Sequence, residues 1–88
     1  MLQATIQTLA NEDITIGSDF LSNVFLAGEM DNCVLVANLR VNNGDMDGAI
    51  EVYRKHEELR QVQKALFPDK VESVTDFNED IIYHIQNI

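Results

Sequence analysis

The sequence predicts an all-α fold, a small bundle of four to five helices around a central antiparallel helical hairpin. Two observations carry that expectation. The run from Asn42 to Tyr53 sets Asn42-Asn43-Gly44-Asp45 between an apolar segment and a long charged amphipathic one, which is how two helices joined by a tight turn are written. Apolar residues also recur at helical spacing on both sides of that turn and again towards the C-terminus. With 88 residues, 45% of them apolar, the chain suits one core, so residues 1–88 read as a single acidic helical domain.

The elements follow in order. Leu2, Ile6 and Leu9 have helical spacing, although Thr5, Ile6, Thr8 and Ile14-Thr15-Ile16 around Asn11-Glu12-Asp13 also suit a hairpin. A helix is favoured here, with a β-hairpin over the first 16 residues as the alternative. Gly17-Ser18 marks a boundary and an N-cap, with Asp19 in the first turn of a second helix. That helix carries Phe20, Leu21, Val24, Phe25 and Leu26 until Gly28 closes it. Asp31 caps a third, in which Val34, Leu35, Val36, Ala37, Leu39 and Val41 leave few positions for a polar face. Such a helix belongs in a core or an oligomer interface.

The fourth helix, Asp47 to Phe67, has the clearest pattern. Ala49, Val52, Tyr53, His56, Leu59, Val62 and Leu66 form its stripe, while Glu51 with Lys55 and Arg54 with Glu58 are opposite charges one turn apart on the other side. Pro68 ends it, because the residue before a proline is driven out of the helical region. Asp76 and Glu79 have the spacing of a capping box for a last helix lined by Phe77, Ile81, Ile82, Ile85 and Ile88.

Within the central hairpin, Ala37 stands where paired helices would touch, Gly44-Asp45 at the turn, Ala49 early in the second helix and Tyr53 one turn further on. Over residues 33–59 this pattern resembles a single tetratricopeptide-type repeat. Arg40 and His56 depart from it, and the chain holds no second copy. The resemblance implies helix-turn-helix packing and, for stacked repeats, peptide binding in a concave groove.

Charge is unevenly spread. Residues 1–39 hold five acids and no Lys or Arg, residues 40–70 six acids and all six basic residues, and residues 71–88 four acids and no Lys or Arg. A net charge of −9 repels phosphate backbones and anionic lipid, so direct nucleic-acid or membrane binding is not expected. No continuous apolar run approaches the ~20 residues of a membrane span. One cysteine and the absence of a basic-then-apolar leader pattern leave the cytoplasm as the expected compartment.

Catalytic constellations are sparse. Cys33 sits in an apolar run, His56 on the buried stripe with a local hydrogen bond expected, and His84 one turn after Asp80. No CxxC, HxxxH, phosphate loop or nucleophile elbow is present, so neither enzyme activity nor a cofactor is expected. Asn43, Asp45 and Asp47 have the alternate spacing of the first calcium ligands of an EF-hand. Arg54, however, occupies the position of the bidentate Glu, and helix capping accounts for the acids.

What remains is binding. The expected function is a small non-enzymatic protein-binding module, an adaptor or assembly subunit, docking through apolar helix faces on a basic or apolar protein, with self-association to a homo-oligomer. Val52, Leu59 and Leu66 are its candidate apolar contacts. The alternative is an acidic, virus-encoded inhibitor that mimics nucleic acid in a host enzyme's binding site. If one helical register runs through them, Glu72, Asp76, Glu79 and Asp80 form a carboxylate stripe. Asp76 and Asp80 are then roughly 6 Å apart along the axis, near the spacing of successive phosphates.

Overall fold

Alternation of side chains decides the N-terminal structure. In the computed structural model, which describes residues 2–70 and 77–87, β1 (Gln3–Gln7) pairs antiparallel with β2 (Asp13–Gly17). Ala4 lies opposite Ile16 and Ile6 opposite Ile14, so one face of the ribbon is apolar, while Gln3, Thr5, Gln7, Asp13 and Thr15 point to solvent. The connecting turn is held by the Thr8 N–H on the Glu12 carbonyl and the Asn11 N–H on the Thr8 carbonyl, each at 2.9 Å. Asn11 takes the left-handed conformation (φ 62°) that such a three-residue loop needs. The N-terminal helix is therefore corrected to a hairpin: period two over Ala4, Ile6, Ile14 and Ile16 outweighs the looser helical spacing of Leu2, Ile6 and Leu9.

A two-stranded ribbon is marginal alone and needs a surface to lie on. Ile6 and Ile16 enter the common core, the Leu9 N–H donates to Glu29 Oε2 (3.3 Å), and Lys55 Nζ donates to the Thr8 carbonyl (2.7 Å) and to Asn11 Oδ1 (3.2 Å). Lys55 is thus committed to the hairpin. Among the described residues its expected pairing with Glu51 is not formed, nor is that of Arg54 with Glu58; the short ion-pair distances join Glu57 to His56 and to Arg60.

The second and third expected helices are one, α1 (Phe20–Asn42), and this too is a correction. Its N-cap is Asp19 rather than Ser18: the Asp19 carboxylate accepts from the Ser22 N–H at 2.6 Å, and these Ser22 hydrogen bonds hold its pKa below 3.8. Gly28 and Asp31 interrupt nothing. Leu26, Met30, Cys33 and Ala37, spaced by four, three and four, run through both positions as one buried stripe, and that packing outweighs the modest cost of a helical glycine. Taken as one 23-residue helix, α1 is long and apolar enough to cross a bilayer, which the shorter segments concealed. Core helices of water-soluble proteins meet the same condition.

Gly44 (φ 81°) makes the turn into α2 (Met46–Leu66), and Arg40 Nη1 braces it on the Gly48 carbonyl at 3.1 Å. Asp45 caps α2 by accepting from the Gly48 N–H at 2.9 Å. A Cβ on residue 48 would collide with that carboxylate, so the glycine makes room for the cap. Ala37 and Ala49, both fully buried, let α1 and α2 pack closely. After α2, Pro68–Lys70 form a short 3-10 turn, and α3 (Glu79–Gln86) docks through Ile81. Asn78 caps α3, accepting from the Asp80 N–H at 2.8 Å, and its own N–H reaches Asn38 Oδ1 on α1 at 2.8 Å. The expected four-to-five-helix bundle is therefore replaced, among the described residues, by three α-helices and a two-stranded antiparallel sheet around one core.

Candidate functional site

At 100° per residue, the buried stripe of α1 occupies one side of the helix, and residues 20, 24, 28, 31, 35 and 39 lie on the other. That outer side is apolar as well. Phe20 (77% exposed), Leu21 (76%), Leu35 (59%), Val24 (52%), Leu39 (52%) and Phe25 (38%) stand open along it, interrupted by Gly28, Asp31 and Asn32. Scattered exposed apolar residues are ordinary, whereas six on one helix face, four between Phe20 and Phe25 and two at Leu35 and Leu39, are more than scatter and mark a candidate docking surface. Asp31 is the one ionisable group within it.

The contacts expected from sequence lie elsewhere. Val52, Leu59 and Leu66 are buried on the core side of α2 and present nothing to a partner. Glu79 and Asp80 are exposed in the first turn of α3, at the positive end of the helix dipole. Glu72 and Asp76 lie outside the described residues. The single helical register that would align all four does not pass through Asn78, whose φ −53° and ψ 135° are those of a cap. The α1 face was legible as the spacing of residues 20, 24, 28, 31, 35 and 39. Dividing the helix at Gly28 hid it.

The titratable groups of the core are poorly suited to chemistry. Burial pushes the Cys33 thiol up to about 11, Glu29 adding to the rise and Lys55 opposing it, so at neutral pH the thiolate a nucleophile needs is suppressed. His56 is buried edge-on to Phe77 (centroids 5.0 Å, 89°), and its Nδ1, 3.8 Å from Glu57 Oε1, makes no hydrogen bond. Burial holds its pKa below 6.5, and Phe77 is also clasped by Tyr53 (4.9 Å, 63°), so His56 packs as a core residue. Asp45 is engaged as the cap of α2 and Asp47 lies in its first turn; among the described residues no three His, Cys, Asp or Glu side chains gather as metal ligands.

A cavity of about 510 Å³ lies between the hairpin, α2 and α3, with Asn11, Glu51, Arg54, Lys55, Glu58 and His84 among its walls. Acids and bases alternate around it, and Lys55 already serves the hairpin. It is an open polar crevice without a converging set of groups.

The fold and this surface define a class: a helical hairpin with a covering β-ribbon, whose longer helix is apolar on both sides. No family model, curated protein or solved structure matches the chain.

Proposed function

We propose that this chain is a small non-enzymatic protein-binding module, an adaptor or assembly subunit, that docks through the outer face of α1. One observation carries the reading: six large apolar side chains exposed along one face of a helix whose opposite face already fills the core. Covering them removes apolar side chain from water, the main favourable term in most protein–protein association. The acidic remainder of the surface acts on partner choice and association rate rather than on the contact itself.

The test is site-specific photo-crosslinking in the cells that contain the protein, with a benzophenone amino acid replacing Leu35 and, as control, Glu58 on the outer side of α2. Adducts of protein mass from position 35 and none from position 58 are expected. Equal yields from the two positions, or none from either, overturn the reading.

A further inference from the structure

The docking reading leaves the occupant open, and the α1 face itself narrows it. Residues 20, 24, 28, 31, 35 and 39 are spaced by four, four, three, four and four, a series that reads the same in both directions. Resting on the docking reading, we propose that the occupant is a second copy of this chain, its α1 laid antiparallel on the first about a two-fold axis passing between Gly28 and Asp31. Phe20 then lies level with Leu39 of the other copy, Val24 with Leu35, and Gly28 with Asp31. Each pairing occurs twice, as a self-complementary two-fold interface requires.

Three further observations fit this occupant. The face offers six large apolar side chains per copy, five of them more than half exposed, which a second copy would cover together with rim residues towards the ~800 Å² per partner of a stable dimer. Gly28 is an exposed, mid-helix glycine with no atom within 4 Å of where its Cβ would stand, so nothing in the single chain requires it. At the midpoint of an antiparallel pair, it lets the two backbones approach and leaves room for the Asp31 side chain opposite. On the face itself charge selects against a basic partner: such a protein would find one acid, Asp31, whereas a second copy finds apolar surface and must tolerate one like-charged pair near the axis and the −9 each chain carries elsewhere.

That like charge gives the arrangement a signature. The two Asp31 carboxylates flank the two-fold axis, offset by about 3 residues, or ~4.5 Å, along the helix direction, so Asp31→Asn should tighten the dimer several-fold. Gly28→Ala should act with opposite signs: it raises the melting temperature of the monomer, because alanine is the better helix former, and weakens the dimer at least ~10-fold by separating the backbones.

The experiment is sedimentation equilibrium on the purified full chain up to roughly 100 μM, where an association with Kd near ~1 μM is saturated. A species of twice the 10.0 kDa chain mass is expected, and Leu35→Asp and Val24→Asp should each return it to monomer with an unchanged far-ultraviolet circular dichroism spectrum. A wild-type monomer at the highest concentration overturns the proposal, as does a larger assembly or a dimer indifferent to both substitutions. If Asp31→Asn loosens the pair or Gly28→Ala tightens it, the antiparallel register is wrong. The docking reading fails separately: a monomer that still gives position-35 adducts of another protein's mass keeps docking and rejects self-pairing. Co-flotation of monomer with neutral phosphatidylcholine vesicles, lost in Leu35→Asp, rejects both in favour of a lipid surface.

Discussion

Helices α1 and α2 are nearly equal in length and share one core, yet their outer faces differ in kind. On α2 the side away from the core carries Glu51, Arg54, Glu58 and Lys64, all solvated. On α1 the corresponding side carries Phe20, Leu21, Val24, Leu35 and Leu39. The inner faces explain the fold: α2 packs the domain with one side and is polar on the other, whereas α1 packs it with one side and leaves apolar side chains exposed on the other, the face proposed for docking.

The largest expected effect tests that division directly. Leu26 and Leu35 are the same residue type on opposite sides of α1, one fully buried and the other mostly exposed. Leu26→Ala should cost ~2–5 kcal/mol in urea unfolding, whereas Leu35→Ala should stay within ~0.5 kcal/mol when both are measured at concentrations too low for association. Similar losses at the two sites would mean that the outer face is part of the fold and not free for docking.

The same division governs what the sequence reveals. α2 was legible almost to its ends, because Val52, Leu59 and Leu66 contrast with charged residues on every turn, and Gly44 and Pro68 punctuate it. α1 was read as two helices because an apolar residue on either face weakens the contrast that defines a period. Gly28 and Asp31 then looked like ends. The hairpin was legible only as an alternative, since five-residue strands give few repeats of period two; the decisive fact, a core that takes in Ile6 and Ile16, is tertiary. The capping of α3 by Asn78 was likewise missed, because Asp76 and Glu79 offered the familiar spacing while the Asn38 contact that fixes residue 78 comes from a distant part of the chain.

A second test uses pH on the α2 side of the core. Burial lowers the His56 pKa below 6.5, with Arg60 acting in the same direction and Glu57 and Asp31 against it. The unfolded chain takes up this proton near 6.5 and the folded chain only at lower pH, so below 6.5 the unfolded state binds more protons. The stabilising contribution of neutral His56 is full above 6.5 and is lost as pH falls from there to the folded-state value. Urea midpoints should therefore drop between pH 7.5 and pH 5.5, and the drop should shrink in His56→Leu. An identical drop in that variant would move the effect to another group; Asp19 is not it, since its lowered pKa acts only below 3.8.

The helix caps come next. Asp19→Ala on α1 and Asp45→Ala on α2 each remove a carboxylate that holds a helix N-terminal N–H, at 2.6 and 2.9 Å, and each should lower the thermal unfolding midpoint. A loss confined to Asp45→Ala would mean that the α1 end frays without consequence and that its stability rests on the inner stripe alone.

The smallest effect distinguishes the two helices most finely, through one glycine in each. Around Gly28 the space is open, so Gly28→Ala should stabilise the monomer by ~0.8 kcal/mol, the ordinary helix-propensity gain. Gly48→Ala gains the same propensity but drives a Cβ into the Asp45 carboxylate, displacing a cap of ~1 kcal/mol, so its net change should lie near zero. The cancellation can be exposed by a double-mutant cycle. In an Asp45→Ala background the obstacle is gone, and Gly48→Ala should recover its full ~0.8 kcal/mol, a coupling that Gly28→Ala will not show with Asp45→Ala. A Gly48→Ala effect that is the same in both backgrounds would show that the cap moves aside freely, and the crowding at Gly48 would then carry no energy.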